Sequence, residues 1–371
     1  MQHAIAPIDR ITALINHLGE ASSPTRTRDR VLFRTVDPNE TINDAIDEEE
    51  PTQEAWTYSP VETSEQPSFN SFGEAGISNV SAVDSGIVRL GETENGVFIA
   101  LRGAIVKDFT EPCEACLFRT GSLFLSYRNK IDLLYRLGLD LHKPDLFVEI
   151  DDSETEEPEL TKIKRGAADT AHHYADRFRN WFERMLQSIA IQETNNGIVV
   201  LDGALTLRTR DTPASFLSFL SAQANTRNNS LVAISKQSNI QIQDKSIQFW
   251  LDDRPNQPGY RRLSSLLVSD RRSRVLGNMY AMRFTPAGPT FRMDVKSLEG
   301  QSDEELINSL HENCLMKAGY PDILVRAHAY SYFSAGDVLT LQSYIRANYQ
   351  VIPRFETNLT PIFAPFGGRF K

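Results

Sequence analysis

The chain has 371 residues, a formal net charge of −10 and a sequence pI near 5.3, with 40% hydrophobic and 24% charged residues. This composition is ordinary for a soluble globular protein, and the length predicts two domains or one elaborated domain. The negative charge argues against a nucleic-acid coat protein, and no apolar run approaches the roughly 18 residues of a membrane span.

The acidic residues are concentrated in two blocks, one at 37–65 and one from Glu149 to Glu159. Outside these blocks bases outnumber acids, so the remaining body is mildly basic and compatible with a nucleic-acid substrate. The chain has three cysteines, and Asp9 and Arg10 interrupt the apolar pattern of the N-terminus. We therefore expect no export signal and a reducing, cytoplasmic location.

The N-terminal part predicts a helix followed by an acidic connection. Residues 1–20 have apolar positions at helical spacing. The chain then becomes acidic and rich in Ser, Thr and Pro, which is typical of a long loop or disordered linker. We divide the chain into an N-terminal helical segment at 1–36, a flexible acidic linker or loop at 37–75, and a main α/β domain at 76–371.

Three strands are predicted to begin the main domain. Asn79 to Val83 forms a short β-like run that ends at Asp84, with Ser-Gly following as a turn. Gly96 to Val106 predicts a long strand that pairs with the first as a hairpin, and Leu117 to Tyr127 predicts a third strand. The order is strand with acid, strand, strand, which is the start of a β-meander.

A long helix and a buried strand follow. Ala167 to Ile191 is the longest helical pattern, and Asp176 and Glu183 belong to its polar strip. Gly197 to Leu205 contains a short apolar run that ends at Asp202. An acid just past the carboxyl end of a buried strand is where open α/β sheets place their chemistry. Asp-Gly is also a strong turn dipeptide, so a turn or helix-cap role for Asp202 stays open.

The rest of the chain predicts further strands and helices. In order, they are a helix over Pro213 to Gln223 with Thr212 as N-cap, a strand over Leu231 to Ser235 that ends at Lys236, two strands in 279–295, a helix that starts at a Ser302–Glu305 capping box, a segment from Ile323 to His328, and a final helix around Asp337 to Asn348.

Three acids, Asp84, Glu183 and Asp202, follow the order of an RNase H-like α/β fold, a mixed sheet with flanking helices. In that architecture the two strand acids are neighbours in the sheet and the helix acid leans over them. Clustered carboxylates repel one another and need a divalent cation to hold them together. Two such cations about 4 Å apart can activate water and stabilise the leaving oxygen in phosphodiester cleavage.

At these positions the sequence resembles the NurA-type DNA nuclease family, which has an RNase H-like core. The matching segments are Ala82-Val83-Asp84-Ser85-Gly86, Leu201-Asp202-Gly203-Ala204-Leu205, Ala233-Ile234-Ser235-Lys236, GYPDILVRAH from Gly319 to His328, and the APFGG close to the C-terminus. The block that contains Tyr320 and His328 is the most specific of them. In the family the first motif reads Asp-Gly-Ser, so the Asp-Ser-Gly order here is expected to alter the turn after Asp84.

The resemblance implies a metal-dependent 5′–3′ exonuclease acting on single- and double-stranded DNA, with single-strand endonuclease activity as an addition. It implies Mn²⁺ or Mg²⁺ as cofactor, in two ions, a homodimer, and a HerA-type hexameric ATPase as partner in DNA-end resection and double-strand break repair. Carried over residue by residue, Asp84, Glu183, Asp202 and His328 would ring the metals and Tyr320 would assist nearby. Asp176 stays open as the alternative to Glu183.

Basic residues are candidates for DNA contacts. Lys236 follows a strand and could reach a phosphate, although a solvated lysine fits equally well. The arginine-rich stretch at 254–274 could contact the DNA backbone or form a solvated loop. Its candidate residues are Arg261, Arg262, Arg271 and Arg272.

The sequence predicts neither a zinc site nor a nucleotide-binding P-loop. Cys113 and Cys116 form a Cys-x-x-Cys pair, but only Cys314 and scattered histidines remain as further ligands, so we expect reduced thiols and not zinc. The sequence contains no GxxxxGK[ST] segment, so ATP-driven motion would have to come from a partner. The alternative from a different functional class is a non-catalytic adaptor of a DNA translocase that keeps the fold.

Overall fold

The structure is a computed structural model of the chain. It describes residues 7–21, 31–36, 57–58, 67–76, 79–108, 114–151, 159–206, 212–236, 238, 240–242, 245–266, 275–349 and 351–354.

The described chain contains runs of consecutive strands separated by helices. The helices are α1 (Pro7–Ala21), α2 (Lys130–Asp140), α3 (Ala171–Glu193), α4 (Ala214–Thr226), α5 (Asp303–Asn313), α6 (Asp322–Ser331) and α7 (Ala335–Asn348), with short 3₁₀ turns at Ile247–Phe249 and Ser264–Leu266. The strands are β1 (Val31–Thr35), β2 (Thr57–Tyr58), β3 (Phe69–Asn70), β4 (Asn79–Thr93), β5 (Gly96–Asp108), β6 (Glu114–Arg119), β7 (Leu123–Ser126), β8 (Val148–Asp151), β9 (Glu159–Ile163), β10 (Gly197–Asp202), β11 (Ser230–Ser235), β12 (Gln241–Ile242), β13 (Lys245–Ser246), β14 (Gly259–Arg262), β15 (Asn278–Arg283), β16 (Phe291–Lys296), β17 (Met316–Lys317), β18 (Tyr320–Pro321) and β19 (Val351–Arg354).

A large mixed sheet forms the centre of the molecule. Its central strands run in the order β6, β5, β4, β10, β11, β16, β15 and β14. Strands β4, β10 and β11 are parallel, whereas β5 and β16 run antiparallel to their neighbours on either side. The predicted fold class, a mixed sheet with flanking helices, is confirmed, and the two acid-bearing strands β4 and β10 are direct neighbours.

The two faces of the sheet pack against different helices, because successive side chains of a strand point to opposite sides. Val83 and Leu201 pack in the core formed with α1, α3 and α4, which we call the α3–α4 side. Ala82 and Val200 pack in the core formed with α5 and α6, which we call the α5–α6 side. This alternation decides which side chains can meet where the parallel pairing of β4 with β10 ends.

Strand β4 does not end where the sequence predicts. It continues from Asn79 to Thr93, through Asp84 and on past the Ser-Gly pair that was expected to turn. Strand β5 pairs with it along this whole length, with Asp84 opposite Ala104. Because the ladder supplies hydrogen bonds to this backbone, the chain stays extended there. The expected turn after Asp84 is therefore wrong.

Several helix and strand bounds also differ from the prediction. The third predicted strand is two strands, β6 and β7, which both pair with β5. Pro213, and not Thr212, is the N-cap of α4. His328 lies inside helix α6, which ends at Ser331 before α7 begins. The capping box formed by Ser302 and Glu305 at the start of α5 is confirmed.

Parts of the predicted linker at 37–75 and of the second acidic block are paired strands. Within 37–75, β2 pairs with β12 and β3 pairs with β14. The second block begins and ends in the hairpin of β8 and β9. The three-part division of the chain stays a prediction. In the described part of the chain, no helix is both long and apolar enough to cross a membrane.

Candidate active site

Asp84 on β4 and Asp202 on β10 lie side by side on the α5–α6 side of the sheet. Val83 is the register partner of Leu201 in the parallel pair, so Asp84 and Asp202 are the next residues along the two strands. They have the same orientation as Ala82 and Val200, which pack beneath α5 and α6. The two strand acids are therefore neighbours in the sheet, as the sequence predicts.

Helix α6 contacts Asp84 with two polar side chains. The Nδ1 atom of His328 lies 2.9 Å from Asp84 Oδ2, and the Ser331 hydroxyl donates to the same oxygen at 2.8 Å. His328 and Ser331 are three residues apart and so share a face of the helix. Burial is the largest influence on the pKa of Asp84 and would raise it, but these contacts outweigh burial and the pKa is lowered.

Asp202 is bound by a lysine and a tyrosine. Lys236 Nζ lies 2.5 Å from Oδ2, and the Tyr320 hydroxyl donates to Oδ1 at 3.3 Å. Phe291 packs edge-on against the tyrosine ring, with centroids 5.1 Å apart. Burial raises the pKa of the Asp202 carboxyl, and the charge of Lys236 offsets only part of this effect. Asp84 and Asp202 therefore differ in how readily each ionises.

Glu183 comes to this edge from the other side of the sheet. Its Oε2 accepts a hydrogen bond of 3.1 Å from the hydroxyl of Ser85, whose side chain points to the α3–α4 side. Gln187 donates to Oε1 at 3.3 Å. Burial raises the pKa of Glu183. The hydrogen bond of Glu183 to the strand is made with the residue after Asp84, and the charge of Asp84 adds to the effect of burial on the pKa of Glu183.

Asp176, the alternative helix acid, lies closer than Glu183 to the start of α3. Its carboxylate is 3.4 Å from His172 Nε2, one turn away on the same helix. Burial raises the pKa of Asp176, and the charge of His172 counters it most strongly. The structure thus brings Glu183 to the sheet through Ser85, whereas the ion pair of Asp176 with His172 stays within α3.

Protein cations accompany all three acids of the predicted set. Arg179 on α3 places its Nη2 atom 4.0 Å from Glu183 Oε2, and its charge favours the ionised forms of Asp84 and Glu183. Lys236 accompanies Asp202, and His328 accompanies Asp84. Among the residues that the structure describes, no three His, Cys, Asp or Glu side chains stand close enough together to share one metal ion.

The predicted DNA-contact residues fall in different places. Lys236 is at the site, with 48% of its side chain exposed. Arg261 is buried and donates to Trp250 O at 2.8 Å and to Asp253 at 2.5 Å, so its guanidinium is engaged within the fold. Arg262 is exposed and donates to Asn278. Arg271 and Arg272 lie outside the described residues.

The cysteines are separated in the structure. Cys116 is exposed on the edge strand β6, and Cys314 is buried at the C-cap of helix α5. Burial raises the pKa of the Cys314 thiol to about 12. Cys113 lies outside the described residues, as does the C-terminal APFGG.

Sequence reasoning missed three residues around the site. Ser331 binds Asp84, and its position three residues after His328 on a helix was a usable signal. Arg292 and Asp294 form a fully buried ion pair on β16. Two opposite charges at alternate positions of an apolar strand were the available signal, since both side chains must face the same side.

Known proteins resemble this chain only in their structures, because no family model and no curated protein matches the sequence. A NurA nuclease from Sulfolobus solfataricus is 12% identical, with 75% of this chain and 86% of that one covered and a TM-score of 0.43. A NurA structure with manganese is 9% identical, with 92% and 98% covered and a TM-score of 0.41. An endonuclease V from Ciona intestinalis, in complex with inosine-containing DNA, is 13% identical, with 71% and 87% covered and a TM-score of 0.33. Two of the three are NurA structures, the family that the sequence motifs resemble.

Proposed function

We propose that the protein is a metal-dependent DNA nuclease that hydrolyses phosphodiester bonds. The observation that carries this proposal is the pair Asp84 and Asp202 on neighbouring parallel strands, with His328 and Tyr320 on the same side of the sheet. Two carboxylates, an imidazole and a phenol at one sheet edge form the kind of constellation that hydrolytic sites use. Lys236 adds a positive charge that can meet a phosphate.

The donor set fits a hard divalent cation. Carboxylate oxygens suit Mg²⁺ and Mn²⁺, and an imidazole nitrogen is accepted by transition metals. Asp84 and Asp202 would hold the metal, and His328 and Glu183 would join them only after the side chains move, because no three of the described ligands stand close enough together to share one ion. When bound, a divalent cation supplies Lewis-acid stabilisation of the phosphate oxygens and lowers the pKa of a bound water.

The protein side chains have separate roles in this proposal. His328 is half exposed and bonded to Asp84, so it can hold or deliver a proton at the edge where DNA would lie. Tyr320 holds Asp202 through its hydroxyl, with its ring fixed by Phe291. Lys236 forms an ion pair with Asp202 and would be available to a phosphate if a divalent cation replaced it there.

The finer features of the proposal rest on the resemblance of the sequence motifs to the NurA family. These features are two Mn²⁺ or Mg²⁺ ions, 5′–3′ digestion of single- and double-stranded DNA, a homodimer, and a HerA-type hexameric ATPase as partner in DNA-end resection. The motifs around Asp84, Asp202 and His328, which carry this resemblance, meet on one side of the sheet.

The direct test is digestion of end-labelled linear DNA by the full chain with Mn²⁺, with Mg²⁺ and with EDTA. We expect cleavage with a divalent cation and none with EDTA. Asp202→Asn should abolish cleavage and keep the fold, whereas Asp132→Asn, at an exposed position in the first turn of α2, should cleave like the wild type. Equal activity of the two variants would contradict the assignment of Asp202.

A non-catalytic adaptor of a DNA translocase is the second candidate. It is favoured by the observation that Lys236, His328 and Arg179 accompany the three acids while no three ligands share one position in the described part of the chain. If the wild type is inert with every metal, alone and with a HerA-type ATPase, but still binds that ATPase, the adaptor replaces the nuclease.

A further inference from the structure

A buried ion pair on β16 lies beside the segment that follows Asp202. Arg292 and Asp294 have side chains that are 1% and 0% exposed. The guanidinium donates to the carboxylate twice, from Nε to Oδ1 at 3.0 Å and from Nη2 to Oδ2 at 2.7 Å. Because desolvation offsets much of the attraction in such a pair, burial of this kind is a weak source of stability by itself. The role of the pair therefore lies in the contacts that Arg292 and Asp294 make with other residues.

Both members of the pair bind the chain just after β10. Asp294 Oδ2 accepts a hydrogen bond of 2.9 Å from the backbone N–H of Leu205. Arg292 Nη2 donates to Thr206 Oγ1 at 2.8 Å. These contacts fix the backbone and a side chain three and four residues after Asp202. Since both are made by buried charged groups, each bond is stronger than a neutral one.

Gly203, directly after Asp202, has a backbone conformation that only glycine adopts easily. Gly203 has φ of +113°, so a side chain there would be strained. Its N–H donates to Ile234 O at 3.0 Å, and its carbonyl accepts from the Ser235 hydroxyl at 2.7 Å. The chain therefore turns sharply after Asp202 and is bound at once by strand β11.

The ion pair lies on the opposite side of the sheet from the Asp202 carboxylate. Asp294 is the register partner of Ala233, whose side chain packs on the α3–α4 side. Asp202 meets Tyr320 and Lys236 on the α5–α6 side. The pair acts on the site through the backbone of residues 203–206, and a bound metal or DNA strand on the other side would not touch it.

We propose that Arg292 and Asp294 are positioning residues for Asp202, which hold its carboxylate in the place needed to bind a divalent cation. This inference rests on the nuclease function proposed above. Groups that orient a metal ligand without touching the metal commonly change metal affinity by about 10- to 100-fold when they are removed. The pair would therefore set metal affinity and turnover and leave DNA binding unchanged.

Thr206→Val tests the inference with little disturbance, because it keeps the shape of the side chain and removes only the acceptor for Arg292. Thr93→Val is the matched control, since Thr93 is equally buried and its hydroxyl bonds Gly96 O in the β4–β5 turn. We expect Thr206→Val to weaken Mn²⁺ binding about tenfold by calorimetry and to lower kcat with KM for DNA unchanged. Thr93→Val should change neither quantity.

A double variant, Arg292→Met with Asp294→Leu, replaces both members of the buried pair together by apolar side chains, so it is expected to fold. It should weaken Mn²⁺ binding at least as much as Thr206→Val. If the wild type binds Mn²⁺ and cleaves DNA while both variants match Thr93→Val, the positioning role is overturned and the nuclease stands.

Crystal structures of the wild type and of Thr206→Val separate this inference from the proposed function. Movement of residues 202–206 in the variant supports positioning even if the wild type proves inert. An unchanged backbone and Asp202 side chain in the variant overturns it, whatever the activity of the wild type. Absence of metal binding and cleavage in the wild type counts against the nuclease itself.

Discussion

His328 and Asp84 are far apart in the sequence, yet His328 Nδ1 lies 2.9 Å from Asp84 Oδ2. The hydrogen bond to Asp84 is the main reason why the pKa of His328 is raised. On the other side of the contact, the bonds and charge of His328 help to lower the pKa of Asp84 against the effect of burial. The charged forms of the two groups stabilise each other, and 54% of the His328 side chain remains exposed for a substrate.

Replacing His328 distinguishes proton transfer from simple support of Asp84. We expect His328→Ala to lower the single-turnover cleavage rate of end-labelled DNA by about 10²- to 10⁴-fold, the range for loss of a general acid or base. Ser331→Ala removes another hydrogen bond to the same oxygen of Asp84, and we expect it to reduce the rate by less than about tenfold. Equal losses would mean that the imidazole serves only to hold the carboxylate.

Lys236 competes with a divalent cation for Asp202. Lys236→Met removes the ammonium that lies 2.5 Å from Oδ2. We expect Mn²⁺ to bind about two- to fivefold more tightly, which corresponds to the energy of a partly exposed ion pair, while DNA cleavage falls because a phosphate contact is lost. Calorimetry and cleavage rates measure the two effects. Lys162→Met, at an exposed pair with Glu149, is the control, and weaker Mn²⁺ binding in Lys236→Met would contradict the competition.

Gly86 allows helix α6 to approach β4. A Cβ atom at this position would lie 2.3 Å from the backbone oxygen of Ser331. We expect Gly86→Ala to lower the free energy of unfolding by about 1–3 kcal/mol and to shift Ser331 away from Asp84. Gly121→Ala is the control, because nothing lies within 4 Å of a Cβ there. Urea unfolding measures both variants, and equal stability would show that α6 adjusts freely.

Asp337 stabilises the junction between α6 and α7, and its contribution to the free energy of unfolding depends on pH. Arg102 donates to its carboxylate at 2.7 Å and 3.0 Å and also to Tyr332 O. The hydrogen bond from Arg102 is the largest cause of the lowered pKa of Asp337, and bonds from Ser334 add to it. The stabilisation is complete above the unfolded pKa of 3.8 and is lost as the pH falls through the lower folded pKa.

Asp337→Asn should therefore destabilise the protein near neutral pH, and its difference from the wild type should shrink below about pH 4. Urea midpoints of both proteins at about pH 7 and at about pH 2.5 measure this change. Asp132→Asn, an exposed acid on α2, provides the control for a general loss of charge. A difference that stays constant with pH would contradict the assignment of the Arg102 contact.

Local features of the sequence predicted most of the elements and two of the central acids. The apolar runs before Asp84 and Asp202 are short-range patterns, and parallel strands bring their ends to the same edge, so their proximity followed from the sequence order. The capping box of Ser302 and Glu305 was predicted for the same reason, since its two bonds lie within four residues. The long amphipathic pattern likewise predicted helix α3.

The sequence by itself determined most of the helices, the central apolar strands and the candidate acids, because hydrophobic periodicity and capping act over a few residues. Only the tertiary structure decided that β4 runs on through Asp84 along β5, and that Glu183 meets Ser85 from the α3–α4 side. It also decided that Arg292 and Asp294 hold the chain after Asp202. These features depend on the faces and registers of strands that are distant in sequence, and packing against the whole sheet selects them.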